Sequence, residues 1–172
     1  MLSAVIYLSR PGEPDAIDRL ADTLSALVAG VAAGLVSDAV IVTDRRDEAV
    51  ATVADATGAT LALCPDGDPF RTGAAVARRE WVLCLEGGDV PAEGWIRTLD
   101  RFIGTARPEV GLGRLRRSGA GLRVRAAAGV ETLVGARAAR AGDVIRRDTL
   151  RASPASAPRL RVRQLIARID RP

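Results

Sequence analysis

The sequence of 172 residues contains no histidine and no lysine, and only 3% of its residues are aromatic. The absence of histidine removes the side chain that most often serves as a general base or a metal ligand near neutral pH. Any acid–base chemistry therefore depends on carboxylates. All 25 basic residues are arginine, a bias that lowers the weight of any single arginine as a functional signal. With so few aromatic side chains, the core must consist mainly of Ala, Val, Leu and Ile.

Cysteines and long apolar segments are also scarce. The two cysteines, Cys64 and Cys84, form no CxxC pair and favour a reducing compartment, where both thiols stay free. The longest nearly apolar run, Leu24–Val36, is too short to cross a bilayer. Met1–Leu8 lacks the basic segment of a signal peptide and is better explained as a first strand. These features predict a cytoplasmic protein.

Short apolar runs alternate with segments of helical periodicity through the first 103 residues. Runs that are apolar along their whole length are typical of parallel strands covered on both faces. Repeated β–α units with right-handed crossovers predict a doubly wound, mostly parallel α/β sheet. The four predicted strands are Ser3–Leu8, Ala39–Thr43, Ala59–Leu63 and Trp81–Leu85.

The remaining residues have a different pattern. Val110–Arg117 and Leu122–Ala127 flank a short polar segment and predict a β-hairpin. Ile145–Ala152 is predicted to be a short helix, and Arg159–Arg163 alternates like an edge strand. At this length we expect a single domain over 1–172, made of a first part (1–103) and a C-terminal part (104–172).

Charge separates these two parts. Residues 1–103 contain 9 arginines and 16 acidic residues, a net charge of −7, whereas residues 104–172 contain 16 arginines and 5 acidic residues, a net charge of +11. Such a split favours a partner for the basic surface: an anionic acceptor, a membrane surface, nucleic acid or the acidic part of another copy. A solvated arginine-rich surface inflated by the compositional bias is the simpler alternative.

Acidic residues collect after the predicted strands. In open α/β sheets, ligands bind beyond the carboxyl ends of the strands. Neither a GxGxxG pattern nor a P-loop occurs there, so neither phosphate-binding fingerprint is supported. Carboxylates suit hydroxyl groups and hard divalent cations, although Asp is also common in turns for geometric reasons. The acidic residues are Asp15, Asp44, Asp47, Asp66, Asp68, Glu86 and Asp89.

A longer segment carries a more specific signal. From Gly58 to Trp95 the chain reads GATLALCPDGDPFRTGAAVARREWVLCLEGGDVPAEGW. It resembles the family-2 glycosyltransferases, in which a third strand leads to an Arg-bearing loop and helix, and a fourth strand ends in an acidic DxD-type motif followed by Pro and Gly-Trp. Upstream AVIVTDRRDEAVATVADATGA and downstream GARAARAGDVIRRDTLRA extend the resemblance over roughly residues 3–152. Small single-domain members are the most similar.

The resemblance implies a GT-A fold that binds a nucleoside-diphosphate sugar together with a divalent metal, Mn or Mg. It places the base near Ser9, Arg10 and Asp44, the donor phosphates near Arg71, and the ribose or sugar beside Glu86. It further implies that the first four strands lie in the order 3-2-1-4. Two strands would then separate the strands that end in Cys64 and Cys84, too far apart for a disulfide.

The sequence departs from the family pattern at the metal motif. Glu86 stands at the first carboxylate of the motif, but Gly88 replaces the second carboxylate, which carries the metal ligand. Asp89, one residue later, is the candidate metal ligand. The expected catalytic base is also displaced, leaving Asp143 and Asp148 as candidates.

Three functions therefore remain open. The chain is a glycosyltransferase-like protein that transfers a sugar from a nucleoside-diphosphate sugar to an anionic or lipid-linked acceptor, a catalytically silent relative that acts as a binding or scaffold subunit, or an unrelated doubly wound nucleotide-binding regulatory domain. A predicted row of Arg159, Arg161 and Arg163 favours a lipid-phosphate acceptor or peripheral binding to the inner face of the membrane. Nucleic acid is disfavoured because stacking aromatic residues are almost absent, and self-association is a further hypothesis.

Overall fold

A computed structural model of the chain describes residues 1–107, 110–118, 135–136, 138–152 and 160–171. In these residues, strands of one sheet alternate with helices along the chain. The strands are β1 (Leu2–Leu8), β2 (Val36–Thr43), β3 (Thr60–Leu63), β4 (Trp81–Glu86), β5 (Val90–Pro91), β6 (Leu112–Arg117), β7 (Asp143–Arg146) and β8 (Val162–Asp170). The helices are α1 (Ala16–Ala32), α2 (Glu48–Thr57), α3 (Pro69–Val76), α4 (Trp95–Thr105) and α5 (Arg147–Arg151).

The sheet has the strand order β3-β2-β1-β4-β7-β6-β8-β5. Strands β1 to β4 pair in parallel with one another, and their order confirms the predicted 3-2-1-4 arrangement. Cys64 follows β3 and Cys84 lies in β4, and both are free and buried. The predicted free thiols are therefore confirmed.

Helices cover the sheet on both faces because its central strands are apolar on both sides. In β1, Ile6 packs with α1, α2 and α4 on one face, whereas Val5 packs with α3 and α5 on the other. Asp47 begins α2 by accepting a hydrogen bond from the amide of Val50 at 3.1 Å. Fully burying an aliphatic side chain such as Ile6 or Val5 is worth about 1.5–3 kcal/mol, so the helices on both faces stabilise the sheet.

The C-terminal part of the chain adds mixed pairing. Strand β7 runs antiparallel to both β4 and β6, and β8 runs parallel to β6. The first strand of the predicted hairpin corresponds to β6, whereas Leu122–Ala127 lies outside the described residues. The prediction of a helix over Ile145–Ala152 was wrong at its start, because Val144 and Ile145 are buried in strand β7. Pairing with β4 and β6 outweighs the local helical preference.

The predicted edge strand is displaced along the chain. The sequence predicts it at Arg159–Arg163, of which Arg159 lies outside the described residues, whereas β8 begins at Val162 and continues to Asp170. Only its last two residues pair with β5, so most of the outer side of β8 is not paired with β5. Within the described part of the chain, no helix has the length and apolarity needed to cross a membrane.

Candidate functional site

The carboxyl ends of the parallel strands bring together residues from β1, from β4 and from the loop after β2. Tyr7 near the end of β1 lies in register with Val42 of β2 and Glu86 of β4. Burial raises the pKa of the Tyr7 hydroxyl, and the negative charges of Asp44, Cys64 and Glu86 raise it further. Asp44 and Glu86 therefore flank Tyr7, and we call the site defined by these three residues the carboxyl-end crevice.

Asp44 has an unmet hydrogen-bonding capacity. Its Oδ1 is buried, and no donor in the described part of the chain reaches it. A buried acceptor without a partner costs about 1–3 kcal/mol, and more when it is charged. A ligand that carries an N–H or O–H group would remove that cost, so Asp44 is suited to bind one.

The loop after β1 carries Ser9 and Arg10, and both are exposed. The backbone of Arg10 has a φ of 53°, in the left-handed region that residues other than glycine rarely adopt. Its guanidinium contacts Glu13 at 2.7 Å. Such strain costs about 1–3 kcal/mol and occurs most often at functional positions. The strained backbone of Arg10 thus lies in the loop next to the crevice.

Arg71 lies in the first turn of α3 with its side chain exposed. Its backbone amide and that of Phe70 both donate to Oδ1 of Asp68, at 3.3 and 3.0 Å. Strand β3, which precedes this helix, is separated from β1 by β2. The fold places Arg71 along the same edge of the sheet as the crevice, but none of the described contacts ties it to the other predicted site residues.

The turn after β4 is fixed by several hydrogen bonds. Asp89 folds back over the strand end, where its Oδ2 accepts a hydrogen bond from the amide of Glu86 at 2.8 Å. The amide of Gly88 donates to Oγ1 of Thr23 at 2.9 Å and to the carbonyl of Arg19 at 2.8 Å. Gly88 has a φ of +93°, a conformation that favours glycine. Without a side chain, Gly88 contributes no carboxylate oxygen to the site.

Two arginines from the C-terminal part of the chain bind this turn. Arg117 of β6 donates to Oδ2 of Asp89 at 2.9 Å. Arg171, which follows β8, contacts Oε2 of Glu86 at 2.5 Å and lies 3.3 Å from Oδ1 of Asp89. We call these four residues the Arg–carboxylate cluster. Burial raises the pKa of Asp89 above its usual 3.8, while the Glu86 amide and both guanidiniums act in the opposite direction.

The structure does not bring the two predicted catalytic bases to the crevice. Asp143 is fully buried, and Arg114 binds its two oxygens at 2.6 and 2.8 Å. Asp148 is exposed in α5. At the start of this helix, the backbone amide of Arg147 donates a hydrogen bond to the carbonyl of Glu80. That contact lies just before the start of β4, roughly 20 Å along the chain from Glu86 at about 3.3 Å per residue. Neither carboxylate is positioned to deprotonate an acceptor there.

The residues of the cluster also do not form a ready metal site. At a phosphate site, Mg²⁺ is held by one or two protein carboxylates together with substrate phosphates and water, so at least one carboxylate must be free to face the ion. In the described residues, no group of three His, Cys, Asp or Glu side chains is arranged to hold a metal ion. The carboxylate of Asp89, predicted as the metal ligand, is instead bound by Arg117 and the Glu86 amide, and Glu86 is bound by Arg171.

Sequence reasoning missed Tyr7, Arg117 and Arg171. Tyr7 had a usable signal, since it is the single tyrosine of the chain and stands at the end of the first predicted strand. Arg117 and Arg171 had none. They lie 28 residues from Asp89 and 85 residues from Glu86, respectively, among many other arginines.

No protein-family model and no curated protein matches the chain. Solved structures do match it. Glucosyl-3-phosphoglycerate synthase from Mycobacterium tuberculosis, in complex with Mn²⁺, uridine diphosphate and glucosyl-3-phosphoglycerate, aligns with a TM-score of 0.56 at 14% identity, over 87% of this chain and 57% of that one. Mannosyl-3-phosphoglycerate synthase from Rubrobacter xylanophilus aligns with a TM-score of 0.58 at 18% identity, over 86% and 53%.

A third solved structure, S. aureus TarS 1-349, aligns with a TM-score of 0.60 at 12% identity, over 87% of this chain and 48% of that one. The chain thus spans about half the length of the solved structures that it matches. At these identities the likeness establishes the fold and not the activity. In the described residues the mixed sheet has eight strands with helices on both faces, and together with these neighbours it shows that the chain has the GT-A fold.

Proposed function

We propose that the chain is a glycosyltransferase-like protein that binds a nucleoside-diphosphate sugar in the carboxyl-end crevice. The observation that carries this proposal is the buried and unpaired Oδ1 of Asp44 beside Tyr7 and Glu86. A nucleobase or ribose offers the N–H or O–H donor that this oxygen lacks. The position also agrees with the rule that ligands of open α/β sheets bind beyond the strand ends.

Each predicted donor contact has a place in this arrangement. Ser9, Arg10 and Asp44 would surround the base, Glu86 would face the ribose or sugar, and Arg71 would approach the phosphates from α3. The exposed side chains of Ser9, Arg10 and Arg71 are accessible to such a ligand. The solved neighbours that were crystallised with uridine diphosphate and UDP-glucose support a nucleotide of this class.

The acceptor in this proposal is anionic or lipid-linked. Arg116 on β6 and Arg161 and Arg163 around the start of β8 are exposed, so their guanidiniums can meet phosphate. Arginine binds phosphate with two parallel hydrogen bonds, which gives geometric selectivity as well as charge. Contact with an anionic leaflet through these residues would place the protein at the inner face of the membrane.

A specific observation also favours the silent alternative. Asp143 is occupied by Arg114, and Asp148 lies beyond the other end of β4. Sugar transfer with inversion needs a base within hydrogen-bond reach of the acceptor hydroxyl. A relative that binds the nucleotide sugar and acts as a binding or scaffold subunit needs no such base.

Thermal unfolding with a ligand panel tests the binding proposal. The panel contains UDP, GDP and ADP, with their glucose and mannose derivatives. A ligand at 100 times its Kd stabilises a protein by about 2.7 kcal/mol, so at least one member should raise the Tm. Asp44→Ala should abolish that shift, whereas Asp55→Ala, which removes an exposed carboxylate of α2, should retain it. If no member raises the Tm of the wild-type protein, the proposal is wrong.

Nucleotide release then separates the two alternatives. A transferase converts the bound nucleotide sugar to free nucleoside diphosphate when a phosphate-bearing acceptor is added. A silent relative shows the same shift in Tm without release of nucleotide.

A further inference from the structure

The Arg–carboxylate cluster stands where the sequence comparison locates the metal-binding motif. A divalent cation there would need the carboxylates of Glu86 and Asp89 to face it. Instead, Oδ2 of Asp89 accepts hydrogen bonds from a backbone amide and from Arg117. Oδ1 of Asp89 is buried without a hydrogen bond in the described residues, and the charge nearest to it is Arg171 at 3.3 Å, which also contacts Glu86. Asp89 is fully buried, which prevents it from turning outward without losing these contacts.

The charges in the cluster balance without a metal. Glu86 and Asp89 carry two negative charges, and Arg117 and Arg171 carry two positive charges. Two guanidiniums supply the same charge as one divalent cation, and they contact the same two carboxylates. Arginine stays protonated at any pH at which the protein is folded.

The guanidiniums still have donors to offer. The side chains of Arg117 and Arg171 are 29% and 44% exposed. Both carboxylate contacts of Arg171 use Nη2, and within the described chain its Nε and Nη1 meet no acceptor. The planar fork of donors on a guanidinium matches the oxygens of a phosphate. Arg171 can therefore hold the carboxylates and a phosphate group together.

We propose that the chain binds the diphosphate of its nucleotide without a divalent cation, using Arg117 and Arg171 in the place of the metal. This inference rests on the proposed nucleotide-binding function. It separates the chain from its solved neighbour that was crystallised with Mn²⁺ and uridine diphosphate. The guanidiniums offer their remaining N–H donors to the phosphate oxygens as fixed groups of the protein, so the site needs no metal to be loaded first.

Calorimetric titration of UDP, GDP and ADP, each in EDTA and again in MnCl₂ without EDTA, tests this inference. We expect at least one nucleoside diphosphate to bind in EDTA, with a Kd within about threefold of its value in Mn²⁺. Binding that occurs only with Mn²⁺ would overturn the metal-independent site and leave the proposed function standing. No binding in either condition would overturn both.

Arginine variants test the assigned residues in EDTA. Arg171→Gln should weaken nucleotide binding by tenfold or more, and Arg117→Gln should also weaken it. Arg78→Gln is the matched control, because it removes one exposed positive charge near the opposite end of β4 and should bind like the wild type. Circular dichroism checks that each variant is folded. If Arg117→Gln is unfolded, the test rests on Arg171→Gln, because the side chain of Arg171 is partly exposed. Wild-type affinity in Arg171→Gln would refute the assignment.

Discussion

The first 103 residues and the C-terminal part differ in charge and in strand pairing, and they are joined by ion pairs between them. The first part has a net charge of −7 and forms the parallel strands, whereas the second has a net charge of +11 and adds mixed pairing. Their charges meet in the fold, where Arg117 and Arg171 bind Asp89 and Glu86. Part of the basic surplus is therefore internal complementarity and does not require an external partner.

The same comparison applies within strand β6 of the basic part. Arg114 and Arg117 bind the buried carboxylates of Asp143 and Asp89. Arg116, which alternates with them, is exposed. The basic part thus contains two classes of arginine: those that hold the fold together, and those left on the surface for an anionic partner.

The largest effect is expected within the basic part itself. Arg114→Met leaves the buried Asp143 without its bidentate partner, and an uncompensated buried charge costs about 3–5 kcal/mol. Urea unfolding measures this loss. Arg116→Met, on the same strand but exposed, removes an equal charge and should cost less than about 0.5 kcal/mol. Equal unfolding midpoints for the two variants would contradict the structural role of Arg114.

The contact between the two parts is broken by Asp89→Ala. This carboxylate accepts hydrogen bonds from Arg117 and from the Glu86 amide, and charged hydrogen bonds contribute about 1.5–3 kcal/mol. The free energy of unfolding should fall by roughly that amount. Asp66→Ala, which removes an exposed loop carboxylate, is the control and should leave it unchanged. A stable Asp89→Ala variant would mean that Asp89 belongs to the ligand site alone.

The surface arginines are tested by sedimentation with vesicles that contain anionic lipid. Arg161→Ser with Arg163→Ser should weaken binding by about 1 kcal/mol per residue, and added salt should weaken it further. The control variant, Arg78→Ser with Arg101→Ser, removes two exposed arginines of the first part of the chain (1–103) and should bind like the wild type. If the wild-type protein does not sediment at low salt, the exposed arginines only protect the strand edge from aggregation.

The smallest expected effect is a pH dependence. Burial raises the pKa of Asp89 in the folded chain above the usual 3.8, so the folded state binds this proton more tightly than the unfolded state. The stability gained from protonating Asp89 is therefore greatest in acid, and it is lost as the pH rises from about 3.8 through the raised pKa of the folded chain. Asp89→Asn cannot titrate there. The difference in unfolding free energy between wild type and variant should change with pH in this window, and a constant difference would contradict the raised pKa.

Local sequence signals predicted the first part of the fold well. The four parallel strands and the helices between them follow from apolar runs and helical periodicity, which each segment carries in itself. Asp47 and Asp68 stand at the starts of α2 and α3, where they cap the helices. In the site, the sequence located the strand-end carboxylates Asp44 and Glu86, because ligand sites of this fold class lie at strand ends.

The C-terminal part was harder to predict because its elements depend on partners that are distant in sequence. The segment Asp143–Arg146 has no strong strand signal of its own. It forms β7 because it pairs with β4 on one side and with β6 on the other. The same applies to the predicted bases. Asp143 is bound by Arg114, which lies 29 residues earlier in the sequence. No local pattern distinguishes such a buried carboxylate from one that is exposed in the crevice.

By itself, therefore, the sequence determined the βα order and the two layers of helices, since hydrophobic periodicity within each segment specifies them. The tertiary structure decided which arginine meets which carboxylate. Asp89 was expected to be a metal ligand, and it lies instead in an ion-pair cluster with Arg117 and Arg171. With 25 arginines in the chain, only the pairing of strands from opposite ends of the sequence selects these two.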